Sequence, residues 1–387
     1  MDAVARSWIP RNEALAALGV KTQTLYAYVS RGRIAARPDP QNPRRSLYAA
    51  EDVARLTDRS APAKPPPPGG GAVGRGEAAV ESSITAIYDG RLFYRGQDAA
   101  ELSRTATFED VARILWDAGE EDPFADLKPR VDVSFPGGPR ARTFACLARR
   151  AEEDAPAAGR SPRSLRREAA SILNELVDTV AGQGPRLHLH QRLARGWKIT
   201  ERDAHLVRRA LVLAADHELN GAILATRVAA GAGASLAACA LAGLATLSGP
   251  ELGGRLFQVS AYVIEARRDA REAARHHLAQ EGAIPGFGNP LYPDGDPRAA
   301  ALLEAADLPE DLADIVRVGE AMTGQAPSFE LALALVARRL DLPKDGPFGM
   351  LAVGRTAGWL AHALDQAASG SPIRARLRYV GPEPGAA

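Results

Sequence analysis

The sequence predicts a mainly α-helical protein in two parts, a small basic head and a large helical body. Three observations lead there. From Glu81 onward apolar residues recur at helical spacing between short polar breaks, as in Phe108 to Asp117, Ser164 to Val180 and Glu201 to Leu213. Strand signals are sparse, aromatics make up 5% of the chain and alanine is abundant, a balance that favours helices over a β-sandwich. A run of prolines and glycines, Pro65 to Pro68 followed by Gly69 to Gly71, interrupts the pattern near the N-terminus. Proline stiffens and glycine loosens a chain, and neither builds a core, so 57–77 reads as a linker between a head at 1–56 and a body at 78–387.

Length and charge bound the rest. At 387 residues with 46% apolar content the chain can bury a large core without disulfide staples. Its two cysteines, Cys146 and Cys239, give neither a disulfide framework nor metal-ligand spacing, which points to a reducing cytoplasm and no metal. A formal net charge of +1 excludes a uniformly basic nucleic-acid coat. That charge is divided: the head carries +4, the linker +1 and the body −4. Arginine outnumbers lysine 43 to 5, which reads as coding bias. Met1 to Pro10 lacks the apolar centre of a signal peptide. The uncharged stretch Val228 to Pro250 is long enough to span a bilayer, but it is mostly Ala and Gly, so a buried helix is the better reading.

In the head, Asn12 to Leu18 predicts a short helix with Asn12 as N-cap and with Ala14, Leu15 and Leu18 on one face. Gly19-Val20 turns the chain. Thr22 to Arg31 predicts a second helix that buries Leu25 and Val29 and stops at Gly32. A turn region with Pro38, Pro40 and Pro43 leads to a strand at Arg45 to Tyr48, and Glu51 to Leu56 predicts a last helix. The segment Thr24-Leu25-Tyr26-Ala27-Tyr28, then Arg31-Gly32-Arg33-Ile34, resembles the winged helix-turn-helix head of MerR-type regulators. That resemblance implies a DNA partner, with Gln23, Thr24 and Tyr26 facing a groove and Arg31, Arg33, Arg44 and Arg45 on phosphates. One copy at +4 binds weakly, so specific binding requires a dimer. The alternative is a module that packs on another subunit and touches no DNA.

The body carries a series of dense motifs. They are Ala215-Asp216-His217-Glu218-Leu219-Asn220, then Ser248-Gly249-Pro250-Glu251-Leu252-Gly253-Gly254, then Pro285-Gly286-Phe287-Gly288-Asn289-Pro290-Leu291-Tyr292 continuing to Asp296-Pro297-Arg298. Pro327-Ser328-Phe329-Glu330, Gly354-Arg355-Thr356-Ala357-Gly358-Trp359 and Arg374-Ala375-Arg376 follow, and Leu92-Phe93-Tyr94-Arg95-Gly96 precedes them all. In order and spacing these resemble the citrate synthase family over about 81–381. The resemblance implies an almost entirely helical two-domain fold with a smaller lid at roughly 256–345. It also implies a dimer, here a homodimer or a heteromer with another chain of the family, and condensation of acetyl-CoA with oxaloacetate.

The resemblance also assigns roles by position. Leu252 stands where the family has the histidine that stabilises the forming enolate, Asn289 where it has the ketone-polarising histidine, and Glu330 where it has the catalytic aspartate. All three chemical positions depart from the family pattern. Leu252 donates nothing, Asn289 donates only a neutral hydrogen bond, and Glu330 is one methylene too long. Loss of one oxyanion donor alone costs about 10² to 10³ in rate. His217, Arg298, Arg355 and Arg376 match the positions that hold an oxaloacetate- or citrate-type diacid, and bidentate grip of a carboxylate requires arginine. The alternative for these four is a scaffold that keeps them for internal salt bridges. His276 and His277 read as solvated helix residues and His362 as a packing residue. Three functions are therefore expected as alternatives: an acyl-CoA:2-oxo-acid acyltransferase that is weak or inactive alone, a diacid-sensing DNA-binding regulator, and a non-catalytic subunit of an active synthase.

Overall fold

The computed structural model describes residues 7–18, 20, 22–30, 34–39, 42–50, 52–53, 80–127, 134–182, 187–374 and 381. The chain forms two compact units, residues 1–68 and 69–387.

The first unit pairs two helices with a small sheet. β1 (Trp8–Pro10) leads into α1 (Arg11–Leu18), a turn follows, and then α2 (Thr22–Ser30), β2 (Ala36–Asp39) and β3 (Asn42–Ala49). The strands are antiparallel in the order β1-β3-β2, with Trp8 opposite Ala49 and Ala36 opposite Tyr48. Ala14, Leu18, Leu25, Ile34, Tyr48 and Val53 form the core, and Val29 packs on it only partly buried. Three details depart from expectation. α1 starts at Arg11, so Asn12 lies inside the helix instead of capping it. β1 carries no strand signal of its own, because three residues form a strand only by pairing with β3. The proline region read as a turn contains β2. Proline lacks a ladder donor, and Pro38 is accommodated because β2 is an edge strand with an irregular register at Pro38/Asp39. On the sheet, the Arg37 guanidinium stacks 4.5 Å from the Trp8 ring centroid.

The second unit opens with a meander, β4 (Thr85–Tyr88), β5 (Arg91–Tyr94) and β6 (Gln97–Asp98). Both connections are two-residue turns with positive φ at each position, Asp89-Gly90 and Arg95-Gly96, which matches the right-handed twist of hairpin strands. Helices follow: α3 (Ala99–Thr105), α4 (Phe108–Leu115), α5 (Pro139–Glu153), α6 (Pro162–Ala181), α7 (Leu189–Gly196) and α8 (Ala204–Ala214). Then come α9 (Gly221–Gly231), α10 (Leu236–Leu247), α11 (Arg255–Ala266), α12 (Ala270–Glu281), α13 (Pro297–Ala306), α14 (Glu310–Thr323), α15 (Phe329–Arg339) and α16 (Gly346–Ser369).

The uncharged stretch 228–250 is two helices rather than one. The chain breaks after Gly231, and Ser235 caps α10 by accepting from the Ala238 amide. No described helix is long and apolar enough to cross a membrane. The 24-residue α16 is buried along most of its length and runs through the middle of the core, packing on α5, α6, α8, α9 and α10.

Candidate functional site

The side chains that matter sit at the ends of α8, α13 and α15 and in the middle of α16. Close backbone approach brings them together. Gly354 and Gly358 flank Arg355 on α16, and both abut the end of α8. A Cβ on Gly354 would lie 2.6 Å from that of Ala214, and one on Gly358 would lie 2.4 Å from the Ala215 carbonyl oxygen. Bare glycines thus let α16 press against the turn that carries His217, and the Gly358 amide donates to Ala215 O at 2.9 Å.

His217 is buried, and its Nε2 lies 3.0 Å from the Tyr292 hydroxyl. Burial, reinforced by the positive fields of Arg298 and Arg355, pushes its pKa well below the usual value, so the imidazole is neutral. Burial also raises the Tyr292 pKa, leaving a neutral phenol–imidazole pair that can donate and accept without adding charge.

Arg298 lies in the first turn of α13, 2% exposed. Asp296 is the N-cap of that helix and accepts from the Arg298 amide at 3.0 Å. The same carboxylate takes Arg298 Nε at 3.0 Å and Nη2 at 2.7 Å. This bidentate pair fixes the guanidinium over the Phe329 ring, 4.7 Å from its centroid. Burial alone would raise the Asp296 pKa, but Arg298 outweighs it and holds the carboxyl below the usual range.

Arg355 is 6% exposed, and its Nη1 has no hydrogen-bond partner among the described residues. Burial, then the Arg298 charge, lowers its pKa. Among the described residues no carboxylate lies within salt-bridge distance of it. A buried guanidinium with an unused donor is costly, and an incoming carboxylate would remove that cost.

The expected chemical positions look different. Leu252 lies half-buried in the turn between α10 and α11, its amide bonded to Gly249 O at 3.1 Å and its Cδ1 facing the first residue of α9, Gly221. Asn289 sits on a loop pinned to residues 326–328 by the Gly288 N–Ala326 O and Ser328 N–Gly286 O bonds. Its side chain is engaged at both ends: Nδ2 donates to Asp296 at 3.1 Å, and Oδ1 accepts from the Leu291 amide at 3.1 Å. Glu330, in the first turn of α15, is half-buried, and both Arg298 and Arg355 feel its carboxylate.

Of the four diacid residues expected from sequence, the structure brings together His217, Arg298 and Arg355; Arg376 lies outside the described residues. In the first unit Gln23 and Tyr26 are exposed on α2, Tyr26 at 50%, Thr24 is half-buried, and Arg45 is exposed on β3. Arg31 and Arg33 lie outside the described residues, as does the side chain of Arg44. His276 is exposed on α12, and His277 packs edge-on against Tyr262, away from the pocket. His362 is buried between Arg227 and Asp216.

Sequence reasoning passed over three residues of the site: Tyr292, Asp296 and Asp216. Asp296 was findable, because an aspartate immediately before Pro297 is an N-cap signal. Tyr292 and Asp216 stand inside quoted motifs, but nothing local says where they point. No group of three His, Cys, Asp or Glu able to hold a metal occurs among the described residues.

These features define a buried cluster of two arginines and a neutral histidine at helix ends in an almost all-helical body. The family model for the citrate synthase C-terminal domain matches residues 142–376, well over half of the chain. A relative named citrate synthase 2, from Bacillus subtilis, is 25% identical over 80% of this chain and 95% of its own length. Crystal structures show the same fold: citrate synthase from Thermotoga maritima (TM-score 0.63, 22% identity, covering 79% of this chain and 94% of that one) is one. Another solved structure is the ternary complex of carboxymethyl coenzyme A and oxaloacetate with citrate synthase from Thermoplasma acidophilum (TM-score 0.62, 17% identity, covering 79% of this chain and 94% of that one). The chain belongs to the citrate synthase family.

Proposed function

We propose that this protein binds an oxaloacetate- or citrate-type diacid in the His217–Arg298–Arg355 pocket, and that the chain alone condenses it with acetyl-CoA weakly or not at all. One observation carries the reading: the buried Arg355 Nη1 has no partner, while the side chain of Asn289 is committed to Asp296 and Leu291. The grip is prepared and the activation of the ketone is not. The bound oxaloacetate named for the Thermoplasma acidophilum complex supports the choice of ligand class. Leu252, Asn289 and Glu330 occupy the chemical positions as substituted residues, Arg376 completes the grip, and the 256–345 segment serves as the lid. The arginine side chains take the diacid carboxylates, and His217 with Tyr292 supplies neutral hydrogen bonds to its oxygens. Acetyl-CoA, if used, is a second substrate.

The first unit favours a second element of this reading, a diacid-responsive DNA-binding regulator. Its support is two successive helices followed by a β-hairpin, with Gln23, Tyr26 and Arg45 exposed. Dimerisation, with itself or with an active chain of the family, uses the α9–α10 face, where Val228 is 46% exposed.

The test is a paired measurement on the purified chain. Calorimetry with oxaloacetate is expected to show binding that falls about 30- to 100-fold in Arg355→Met, the loss expected for a buried charge pair. Free-thiol release from acetyl-CoA is expected to stay near background. Rapid turnover by the lone chain, or equal binding by Arg355→Met, overturns the reading. A band shift on DNA upstream of its own gene tests the regulator, and its absence there and on genomic fragments removes that element.

A further inference from the structure

Behind the pocket lies a buried polar chain that the binding residues do not use. It starts at Asp365 on the last turns of α16, whose Oδ2 accepts from Arg227 Nη2 at 2.6 Å. Arg227, 2% exposed on α9, also donates to Gln366 at 3.3 Å and to Ser82 at 3.2 Å. Its Nε donates to His362 Nδ1 at 2.9 Å, and His362 Nε2 lies 3.1 Å from Asp216 Oδ2. The Thr85 hydroxyl donates to the same carboxylate oxygen. Asp216 is fully buried. Burial alone would raise its pKa, but the hydrogen bonds from His362 and Thr85, with the nearby Arg355 charge, hold it below the usual carboxylate range, so the group is an anion.

The donors and acceptors fix a proton. An arginine Nε can only donate, so Nδ1 of His362 accepts. A carboxylate can only accept, so Nε2 of His362 carries the hydrogen. The imidazole is therefore a neutral bridge with one defined tautomer, set by Arg227 rather than by the pocket.

Its position explains what the bridge does. His362 and Arg355 are seven residues apart on α16, hence on one face, with Gly358 between them. Asp216 precedes His217 in the chain, and its Oδ1 sits where a Cβ on Gly358 would be, 2.5 Å away. The 215–217 turn thus meets α16 twice along one stripe: Asp216 on His362, and His217 beside Arg355. We propose that His362 is a positioning residue, a tautomer-locked clamp that holds Asp216 and thereby sets His217 against Arg355 in the carboxylate pocket. The ligand part of this inference rests on the function proposed above; the positioning part does not.

Two variants and two measurements test it. His362→Leu removes both hydrogen bonds. His362→Gln offers an amide oxygen to Arg227 and an amide N–H to Asp216, mimicking the neutral tautomer. Nitrogen-15 spectra of the histidine rings, recorded without ligand, are expected to show His362 protonated on Nε2 only. The His217 ring signals are expected to move in the Leu variant and return in the Gln variant. Oxaloacetate affinity is expected to fall about tenfold in the Leu variant and recover in the Gln variant, as for the loss and repair of one buried hydrogen bond to a charge. If the Leu variant does not fold, Arg227→Met frees Nδ1 and is expected to shift the same His217 signals. Unmoved His217 signals, or Nδ1 protonation of His362, overturn the proposal. If the His217 pattern appears while the wild type binds no diacid, the clamp stands and the proposed ligand falls.

Discussion

The two sides of the pocket are built to different standards. On the gripping side, His217, Arg298 and Arg355 are buried, and each is fixed by something that cannot easily move: a phenol, an N-cap carboxylate, or glycine-mediated helix contact. On the other side, Leu252, Asn289 and Glu330 are half-buried, and the one hydrogen-bonding amide among them is spent on its own loop. Burial of the two guanidiniums carries a desolvation cost, which the Asp296 pair offsets at Arg298 and no salt-bridge partner among the described residues offsets at Arg355. The contrast teaches that neighbouring side chains of one cluster can differ widely in how firmly packing and hydrogen bonds hold them.

The sharpest way to break this contrast is to restore the imidazoles. Leu252→His with Asn289→His is expected to raise thiol release from acetyl-CoA about 10²- to 10³-fold over the wild-type background, the range set by one recovered oxyanion donor. A spectrophotometric thiol assay reads it, and an unchanged background in a folded, diacid-binding double variant would place the missing chemistry elsewhere.

A smaller effect probes the gripping side. Gly358→Ala forces a Cβ to within 2.4 Å of Ala215 O and 2.5 Å of Asp216 Oδ1. Overpacking of this kind costs about 1 to 3 kcal/mol, to be read as a lowered urea midpoint with weaker oxaloacetate binding. Gly282, with φ +71° and nothing within 4 Å of its Cβ position, provides the control: Gly282→Ala is expected to leave oxaloacetate binding unchanged.

The smallest expected effect is a change of slope. His217 is buried in its neutral form, with its folded pKa depressed below the unfolded value. The unfolded state therefore binds a proton first as pH falls, so this group contributes stability that is complete above about pH 6.5 and is lost on acidification toward the folded pKa. His217→Asn is expected to flatten the acid limb of the stability curve below about pH 6.5. An acid limb as steep as that of the wild type would show that His217 is not held neutral.

Much of the body was legible because helices announce themselves locally. The 3.6-residue period located α6 almost to its ends. The break inside 228–250 was written in Gly231, Gly233 and Ser235 but masked by a uniform absence of charge. β1 was not legible, since a three-residue strand exists only through its partner. The same limit applies to the site: motif order brought His217, Arg298 and Arg355 onto one short roster, but nothing in their spacing said that Asp296 already holds Arg298.

The sequence by itself determined the helical class and the kinds of side chain on offer, because periodicity and residue chemistry are local properties; the linker read at 57–77 lies outside the described residues. Tertiary structure alone decided which of those groups are free. Arg355 keeps an unused donor, the Asn289 amide is spent on Asp296, and His362 bridges Arg227 to Asp216, because each depends on which partner packing has brought within hydrogen-bond reach.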